Sequence, residues 1–501
     1  MPENRLPSGP GAELFLSTRD TSKRTSEAVA AGRARKLGPR LYTSNMTDAP
    51  EAIVRRNLWP AVSLLAPGTV IGYRTALEMA PASDGTVFLT GTTRSGHIGL
   101  PGITLRLIPG PGPLEGDQPL FNLHVASRPR ALLEVLRPSR ARTTVARGLP
   151  RARVEAELER ELQIVGEERL NRIRDQARAI APALDAEREF AALNGIIGAL
   201  LGSRPGKLSA PAAVARAAGE PYDAGRLDRF QVLHAALVRW IARPRPDPLT
   251  DDAEFANLAF FDAYFSNFIE GTRFEVAEAR GIALEGRIPA ARPADAHDVL
   301  GTYRLVGSRT AMGRGVRDYP DFDRFVGALR SAHSDILSAR PDKRPGELKE
   351  IANAAGETLF VAPDLVRGTL RQGFELARSL EAPFARAVEM MFIISEVHPF
   401  DDGNGRIARA FMNAELVSGR ERRILIPTVY RDEYVTGLRV HTRQGHPDPL
   451  IKTLDFAQEY AARIAFSDYD RALDVLRETG AFEEPKEGVR LRLPAAGGVR
   501  P

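Results

Sequence analysis

The stretch from His398 to Arg409, HPFDDGNGRIAR, concentrates side chains that could do chemistry. An imidazole titrates near neutrality, so His398 is a candidate general base. The carboxylate of Asp402 is a hard oxygen ligand, and Mg²⁺ binds through one or two such groups together with substrate phosphates. Arg406 and Arg409 are three residues apart, close on one face of a helix, and their planar guanidinium groups suit phosphate oxygens. The set points to chemistry on a nucleoside triphosphate.

Two predicted helices flank this stretch and would position it. Before it, a largely apolar face recurs at helical spacing, at Phe384, Val388, Met391, Phe392 and Ser395. The residues after it do the same, at Ile407, Ala410, Phe411 and Ala414. Gly403, Asn404 and Gly405 begin the second helix and let the backbone turn sharply, so that several N–H groups face one point. The positive end of the helix dipole adds to this predicted anion site.

The stretch also resembles the signature of the Fic family, His-x-Phe-x-Asp/Glu-Gly-Asn-Gly-Arg-x-x-Arg, and matches every fixed position. One histidine alone is more often a packed or exposed residue than a base. Fixing about eight identities in a window this short, however, is far more specific than a lone glycine motif. The resemblance implies transfer of a nucleoside monophosphate, usually AMP from ATP, to a hydroxyl of a protein Ser, Thr or Tyr.

The resemblance also implies a role for each motif residue. His398 would be the general base, Asp402 the Mg²⁺ ligand, and Arg409 the contact of the γ-phosphate. The backbone of Gly403, Asn404 and Gly405 would bind the anion, and Arg406 would hold the phosphates. The related death-on-curing toxins, which act as kinases, carry a lysine where this chain has Gly405, so nucleotidyl transfer is favoured over phosphorylation.

A second motif lies upstream, where Ser266, Glu270 and Gly271 close a helix predicted to start near Thr250. Ser266 and Glu270 share a helix face at i, i+4, and Gly271 is a natural stop. The motif resembles the Fic inhibitory motif, Ser/Thr-x-x-x-Glu-Gly/Asn, in the class with an inhibitory helix before the catalytic domain. By that resemblance Glu270 would pair with Arg409 and occupy the space of the γ-phosphate.

Two further expectations concern substrate binding. The segment GETLFVAP at residues 356–363 is typical of a β-hairpin and resembles the Fic flap, which binds a target segment by main-chain pairing. Thr358, Leu359 and Phe360 are the flap candidates. Tyr434 follows the segment where relatives place an adenine-side residue, although an aromatic residue there could equally belong to the core.

Composition limits the class of protein. The 501 residues are 43% hydrophobic and 27% charged, as in ordinary globular chains, and include no cysteine, which excludes disulfide scaffolds and thiol chemistry. No apolar run approaches the roughly 18 residues of a membrane span, so no membrane partner is expected. The N-terminus lacks the apolar core of a secretory signal, so we expect a cytoplasmic protein.

Positive charge is concentrated toward the N-terminus. Residues 1–150 hold 19 lysines and arginines against 11 acidic residues, a net charge of +8, so the other residues sum to −3 of the total of +5. The densest run, Arg128 to Arg153, has eight arginines and one acid. It could be a solvated linker or a strap that binds the phosphates of DNA.

The N-terminal third has mixed signals. A helix is predicted near residues 52–65 and another near 74–79, followed by strands near 86–90, 103–108 and 121–125. This pattern is typical of a helix-turn-helix with a β wing. The segments PGTVIGYRTALEM and DGTVFLTG also resemble AbiEi-type antitoxin domains over some 60 residues.

The sequence therefore predicts a mainly α protein, with a helical Fic core and a β-hairpin flap, preceded by a small α+β winged-helix-like domain. The predicted parts are a disordered tail (1–48), the winged-helix-like domain (49–127), a basic linker (128–153), a helical region (154–248), the inhibitory helix region (249–290), the catalytic domain (291–470) and a C-terminal tail (471–501).

The predicted function is a protein adenylyltransferase that uses ATP and Mg²⁺, modifies a target protein or itself, and is inhibited by the helix bearing Glu270. Three alternatives remain open. The same site could remove AMP, or use another donor such as UTP, GTP or a phosphocholine carrier. The chain could also be a DNA-binding regulator in which the Fic module is a sensor.

Overall fold

The computed structural model describes residues 13–138, 145–247, 251–486 and 488–494. The chain divides into two compact units, Met1–Ala217 and Ala218–Pro501. Helices dominate and the sheets are small, as expected for a mainly α protein with an α+β N-terminal part. Among the described residues, no helix has both the length and the apolar character needed to cross a membrane.

The first unit begins with a small sheet and a group of short helices. Its first elements are β1 (Leu14–Leu16), α1 (Ser22–Ala30), β2 (Arg35–Gly38), β3 (Leu41–Thr43), α2 (Pro50–Arg56) and α3 (Leu58–Leu65). The three strands are antiparallel in the order β1-β3-β2. Leu14, Leu37 and Leu41 are buried in one core with α2 and α3.

This sheet differs from the disordered tail predicted for residues 1–48, of which residues 1–12 lie outside the described part. The strands are three or four residues long, and helix α1 with its charged side chains lies between β1 and β2, so an average over the whole segment hides the apolar residues of the strands. Glu13 adds a long-range contact, because Arg56 Nε donates to its carboxylate at 2.8 Å.

A six-stranded mixed sheet follows in the same unit. Its elements are β4 (Val70–Ile71), α4 (Tyr73–Glu78), β5 (Thr86–Thr92), β6 (Gly96–Leu100), β7 (Ile103–Pro109), β8 (Gln118–Leu120) and β9 (Leu123–Val125). The strand order is β6-β7-β5-β4-β9-β8, with β5–β7 and β4–β9 parallel. The predicted strands and the predicted helix near residues 74–79 are confirmed as elements, whereas the single helix predicted near 52–65 is two helices, α2 and α3, that meet at Asn57. The likeness to a winged helix and to AbiEi-type domains stays a prediction.

Helices complete the first unit. They are α5 (Arg128–Leu136), α6 (Arg151–Leu184), α7 (Glu187–Leu200) and α8 (Pro211–Ala217). Helix α6 breaks at Gly166, whose φ of 76° lies outside the helical region. Residues 128–136 of the predicted linker are thus a helix, and Leu132, Leu133 and Val135 are buried in a core with α6 and α7.

The second unit is almost entirely helical. Its helices are α9 (Ala224–Arg239), α10 (Asp252–Ile269), α11 (Val276–Glu285), α12 (Pro293–Val306), α13 (Arg309–Met312), α14 (Phe322–Ile336), α15 (Val366–Ser379), α16 (Pro383–Val397), α17 (Asn404–Ser418), α18 (Arg431–Gln444), α19 (Asp448–Ala462) and α20 (Tyr469–Glu478). A short antiparallel hairpin, β10 (Ala354–Ala355) with β11 (Thr358–Leu359), lies between α14 and α15.

Helices α16 and α17 form the centre of this unit and position the predicted site. Almost every residue of α16 is buried, including the charged Arg386, Glu389 and Glu396, so the helix has no broad solvent-exposed face. Helix α9 packs on it, with Phe230 edge-on to Phe392 at 6.0 Å between ring centroids. The turn between α16 and α17 is therefore held by two helices that are fixed by the core.

The end of the chain also differs from the expectation of a C-terminal tail over 471–501. Helix α20 buries Ala472, Leu473 and Leu476 against α10 and α19 in a second core of this unit. Those apolar residues recur at helical spacing, which the prediction of a tail overlooked. Residues 487 and 495–501 lie outside the described part.

Candidate active site

The turn between α16 and α17 has a fixed shape. His398 ends α16 with left-handed φ and ψ of 51° and 61°, and Gly403 precedes α17 with a φ of 71°. The buried side chain of Asn404 closes the turn, because its Oδ1 accepts from the Phe400 N–H and its Nδ2 donates to the Phe400 carbonyl, both at 2.9 Å. The closed turn thus fixes the direction of the backbone N–H groups in the first turn of α17.

His398 is held as a neutral imidazole. Its Nδ1 lies 3.2 Å from the Ser395 carbonyl, which can only accept, so Nδ1 carries the hydrogen and Nε2 keeps its lone pair. The ring stacks on Phe360, with centroids 3.7 Å apart and planes 4° apart. Burial, aided by the charge of Lys349, lowers the pKa of His398 to about 4. At neutral pH the ring can therefore accept a proton.

Asp402 lies two residues before α17, with 42% of its side chain exposed. Its Oδ1 accepts from the Gly403 N–H at 2.6 Å. Its carbonyl accepts from His333 Nε2 at 3.0 Å, while His333 Nδ1 accepts from the Gly346 N–H at 2.9 Å. His333 also stacks on Phe400, with ring centroids 3.8 Å apart, so it holds the turn at both Phe400 and Asp402.

Asp402 suits a metal ion that arrives with a nucleotide. Within the described ranges, no group of three or more His, Cys, Asp or Glu side chains could hold a metal ion by itself. Mg²⁺ needs only one or two carboxylates when substrate phosphates complete its shell. A partly exposed carboxylate beside the N-terminus of a helix meets that requirement.

Arg406, which is predicted to bind phosphates, contacts a carboxylate in this structure. The side chain is buried, and its Nη1 lies 2.8 Å from Asp298 Oδ2 on α12. Its Nη2 lies 3.9 Å from Asp402 Oδ1. The role of Arg406 in phosphate binding stays a prediction, and the pair with Asp298 would have to loosen for it.

Arg409 meets the predicted inhibitory motif. Its Nη2 donates to Glu270 Oε1 at 2.7 Å and to the Ser266 carbonyl at 2.9 Å, while Nε donates to Ser266 Oγ at 3.0 Å. The guanidinium is buried, and the nearby carboxylate of Glu270 helps to raise the pKa of Arg409. Both motif residues therefore bind one arginine from successive turns of α10.

The carboxylate of Glu270 lies against Gly405 in the first turn of α17. A side-chain carbon added at Gly405 would clash with Glu270 Oε1. Helix α10 ends at this point, since Gly271 has a φ of 90°. Asp251 caps the other end, accepting from the Ala253 N–H at 2.8 Å, whereas Thr250 lies outside the described residues. A negative group thus occupies the place where α17 would attract an anion.

A cavity of about 260 Å³ is lined by many of the predicted site residues. The predicted residues on its wall are Glu270, Thr358, Phe360, His398, Gly405, Arg409 and Tyr434. Ser266, Gly271, Leu359, Asp402, Gly403, Asn404 and Arg406 are not part of the wall. One face of α18 lines it with Arg431, Tyr434, Val435, Leu438, Arg439 and Thr442.

Tyr434 belongs both to the cavity wall and to the core. The ring is 2% exposed and its hydroxyl donates to Met391 Sδ at 3.4 Å. Burial raises its pKa. Its contact with an adenine ring stays a prediction.

The hairpin predicted as a flap is present as β10 and β11. The Phe360 N–H donates to the Asn353 carbonyl at 3.1 Å, and the Leu359 side chain is 71% exposed. Lys349 braces the base of the hairpin, donating to Asn353 Oδ1 at 2.7 Å and to the Val397 carbonyl at 3.2 Å. Burial lowers the pKa of this lysine to about 8.

All six described arginines of the basic run have partners within the first unit. Arg130 is fully buried between Asp117, at 2.6 Å, and Glu134, at 2.9 Å. The others pair with α6 or with nearby groups: Arg128 with Glu161, Arg151 with Glu155, Arg153 with Glu157, Arg137 with the Asp185 carbonyl, and Arg147 with the Tyr73 ring. Arg140 and Arg142 lie outside the described residues. These contacts do not favour a phosphate-binding strap.

Residues 326–416 match the sequence model of the Fic/DOC family. The chain is also similar to protein adenylyltransferase fic-1 of Caenorhabditis briggsae, with 23% identity over 198 residues that cover 38% of each chain. A Fido domain-containing protein of Dictyostelium discoideum is 32% identical over 94 residues, which cover 18% of this chain and 66% of that protein. The chain thus spans less than two fifths of the length of the fic-1 relative.

Similar solved structures include a fragment of Fic-1 from C. elegans, which has a TM-score of 0.34 and 18% identity and covers 66% of this chain and 98% of that chain. Another is a Fic domain containing signaling protein from Bacteroides thetaiotaomicron, with a TM-score of 0.37 and 16% identity over 50% of this chain and 97% of that chain.

Proposed function

We propose that this chain, whose residues 326–416 match the Fic/DOC family, is a protein adenylyltransferase that α10 holds inactive. The observation that supports this most is the shared cavity wall of His398, Gly405, Arg409 and Glu270. It combines a neutral imidazole, the N-terminus of a helix and an arginine whose carboxylate partner comes from another helix.

The proposed step is a displacement at the α-phosphorus of ATP. The oxygen of a protein hydroxyl forms a bond to that phosphorus, and the bond to the bridging oxygen of pyrophosphate breaks. His398 Nε2 takes the hydroxyl proton, which a base with a lone pair can do at neutral pH. A bound Mg²⁺, held by Asp402, would neutralise phosphate charge. The N–H groups of α17 would stabilise the charge that develops on the phosphate oxygens.

We propose that the pair of Glu270 with Arg409 is the inhibitory contact. Arg409 is buried, whereas the side chain of Glu270 is 27% exposed, so loss of the carboxylate leaves a buried guanidinium without its counter-charge. A bias of about 2.7 kcal/mol already leaves only about one molecule in a hundred in the other state. Glu270 also fills the space next to Gly405, where a phosphate would be attracted by the helix. Replacing it should free both the arginine and the helix N-terminus.

The experiment is labelling of the Glu270→Gly variant with ATP that carries its label on either the α- or the γ-phosphate. We expect label on the protein from the α-labelled nucleotide alone, and more of it than in the parent chain. Label transferred from the γ-phosphate would instead identify a kinase. Equal labelling of variant and parent would rule out the inhibitory role of Glu270.

Removal of AMP is the second candidate, favoured by the Glu270 carboxylate on the cavity wall. A carboxylate there could orient a water molecule toward the phosphorus of a modified hydroxyl. The parent chain would then release AMP from a protein that the Glu270→Gly variant had labelled, whereas Glu270→Gly itself would not. Competition of unlabelled UTP or GTP in the same assay tests the choice of nucleotide.

A further inference from the structure

One arginine outside both motifs connects the flap to the helix that carries His398. Arg226 lies in the first turn of α9, where its N–H donates to the capping Asp223 Oδ1 at 3.0 Å. Its Nη1 donates to Glu396 Oε2 on α16, and its Nη2 donates to the Leu359 carbonyl on β11. Neither contact is suggested by sequence spacing, because Arg226 is 170 residues from Glu396 and 133 from Leu359.

The carbonyl that Arg226 binds lies on the outer edge of the hairpin. Ala354 is opposite Leu359, and Ala355 is opposite Thr358. Since the Phe360 N–H donates to Asn353, the alternation of an antiparallel pair turns the main-chain groups of Leu359 away from β10. These groups form the edge at which an added strand would pair. A carbonyl oxygen has two lone pairs, so it can bind Arg226 and still accept from a target segment.

The other partner, Glu396, makes this contact hard to release. The carboxylate is 3% exposed, and its Oε1 accepts from Thr442 Oγ1 on α18. Burial raises the pKa of Glu396, whereas Arg226 and Thr442 oppose that change. Removing Arg226 would leave a buried carboxylate without its counter-charge, which is costly. The contacts of Arg226 with Glu396 and with the Leu359 carbonyl are therefore permanent, and we call them the brace. Arg226 is not a group that has to leave before a target segment can bind.

The brace acts close to the proposed base. Glu396 is two residues before His398 in the chain. On the flap side, Phe360 follows Leu359 and stacks on the His398 ring. A planar guanidinium can hold two acceptors in a fixed relation, which the single ammonium of a lysine cannot. Arg226 thus sets the distance between the flap edge and the imidazole.

We propose that Arg226 is a positioning residue that aligns the acceptor segment of a protein with His398, while leaving nucleotide binding to α17. The inference rests on the proposed adenylyl transfer and adds a residue to it. A protein hydroxyl must be held by the flap, whereas a water molecule that attacks the same phosphorus needs no flap. Loss of Arg226 should therefore reduce transfer to protein more than hydrolysis of ATP to AMP and pyrophosphate.

The test uses the full chain with Glu270→Gly, to which Arg226→Lys or Arg226→Gln is added. Arg226→Lys keeps a positive charge for Glu396, so it guards against loss of the fold. Arg239→Gln, at the exposed far end of α9, is the matched control. With α-labelled ATP, the ratio of labelled protein to free AMP should fall about tenfold in both Arg226 variants, because small misplacements cost transfer rates of that order or more. The KM for ATP and the control should be unchanged.

An unchanged ratio would overturn the proposal, and a raised ratio would mean that Arg226 blocks the flap edge instead. Hydrogen exchange of residues 354–360 provides a readout that does not depend on activity. Exchange there should be faster in Arg226→Lys than in the parent chain and unchanged in Arg239→Gln. Equal protection in all three would overturn the brace even if adenylyl transfer is confirmed. If Glu270→Gly yields neither labelled protein nor AMP, the proposed function fails, and hydrogen exchange still decides the brace.

Discussion

At the scale of single residues, burial determines which protonation state His398 has. Its pKa of about 4 lies below the ordinary value because the ring is enclosed by Phe360 and the end of α16. Glu270 opposes this effect, so its removal lowers the pKa further. A base with a low pKa is weaker, but all of it is available at neutral pH.

The first prediction follows for the pH dependence of transfer by Glu270→Gly. An imidazole with an ordinary pKa of about 6.5 would lose about fourfold of its neutral form between about pH 7.5 and pH 6.0. His398 remains neutral over this range, so the rate at saturating ATP and Mg²⁺ should change by less than about twofold. The measurement is the initial rate of labelling at each pH. A fourfold loss centred near pH 6.5 would contradict the buried, neutral imidazole.

At the scale of elements, the sequence predicts the two helices of the site and the turn between them. It does not predict the side chains from other helices that hold this turn in place. Helices α16, α17 and α10 and the pairing of Glu270 with Arg409 follow from local periodicity, from glycine positions and from a family resemblance. His333 could not be found in this way, because it lies 69 residues from the Asp402 carbonyl that it contacts. The contact of Arg406 with Asp298 could not be found in this way either, because Asp298 lies on α12, far earlier in the chain.

The second prediction concerns the turn that Asn404 closes. Asn404→Ala removes two hydrogen bonds to the main chain of Phe400 in a buried place, so the free energy of unfolding should fall by about 1 to 3 kcal/mol. The displaced turn should lower transfer in the Glu270→Gly background by about a hundredfold. Urea unfolding and labelling rates measure the two effects.

The matched control is Gln458→Ala. Gln458 is buried, and its amide accepts from Arg245 at 2.8 Å and donates to the Arg422 carbonyl at 2.9 Å, but it is not on the cavity wall. Its loss should cost similar stability and leave the transfer rate intact. If Gln458→Ala reduced transfer as much as Asn404→Ala, the effect would be one of stability alone.

At the scale of the whole molecule, the positive charge concentrated toward the N-terminus comes partly from arginines in internal ion pairs and partly from arginines on the surface. The described arginines of residues 128–153 mostly contact acids or carbonyls of the first unit. Composition alone cannot detect this, because pairing depends on which helix lies beside the run. In the same way, the average over residues 1–48 concealed three short strands whose apolar residues are buried.

The third prediction concerns stability in acid. His441 is fully buried beside the Phe392 ring, and burial lowers its pKa to about 4, with the charges of Arg229 and His446 adding to this. In the unfolded chain the same group titrates near 6.5, so between these values the unfolded state binds more protons. The free energy of unfolding should therefore fall as pH falls through this window, by up to about 1.4 kcal/mol per pH unit from this residue.

Urea unfolding of the parent chain and of His441→Gln, at several pH values between about 7 and 4.5, isolates that contribution. Other buried groups titrate equally in both proteins, so only the difference in slope matters. The parent should lose stability more steeply toward acid than the variant. Parallel slopes would contradict the buried, neutral state of His441.

The most direct test of the proposed function is the intact mass of the purified chain after incubation with ATP and Mg²⁺. Three proteins are compared: the parent, Glu270→Gly, and Glu270→Gly combined with His398→Ala. The proposed adenylyl transfer predicts a gain of one or more AMP units in Glu270→Gly, little gain in the parent and none in the double variant. A Glu270→Gly protein of unchanged mass, or an equal gain without the imidazole of His398, would contradict it.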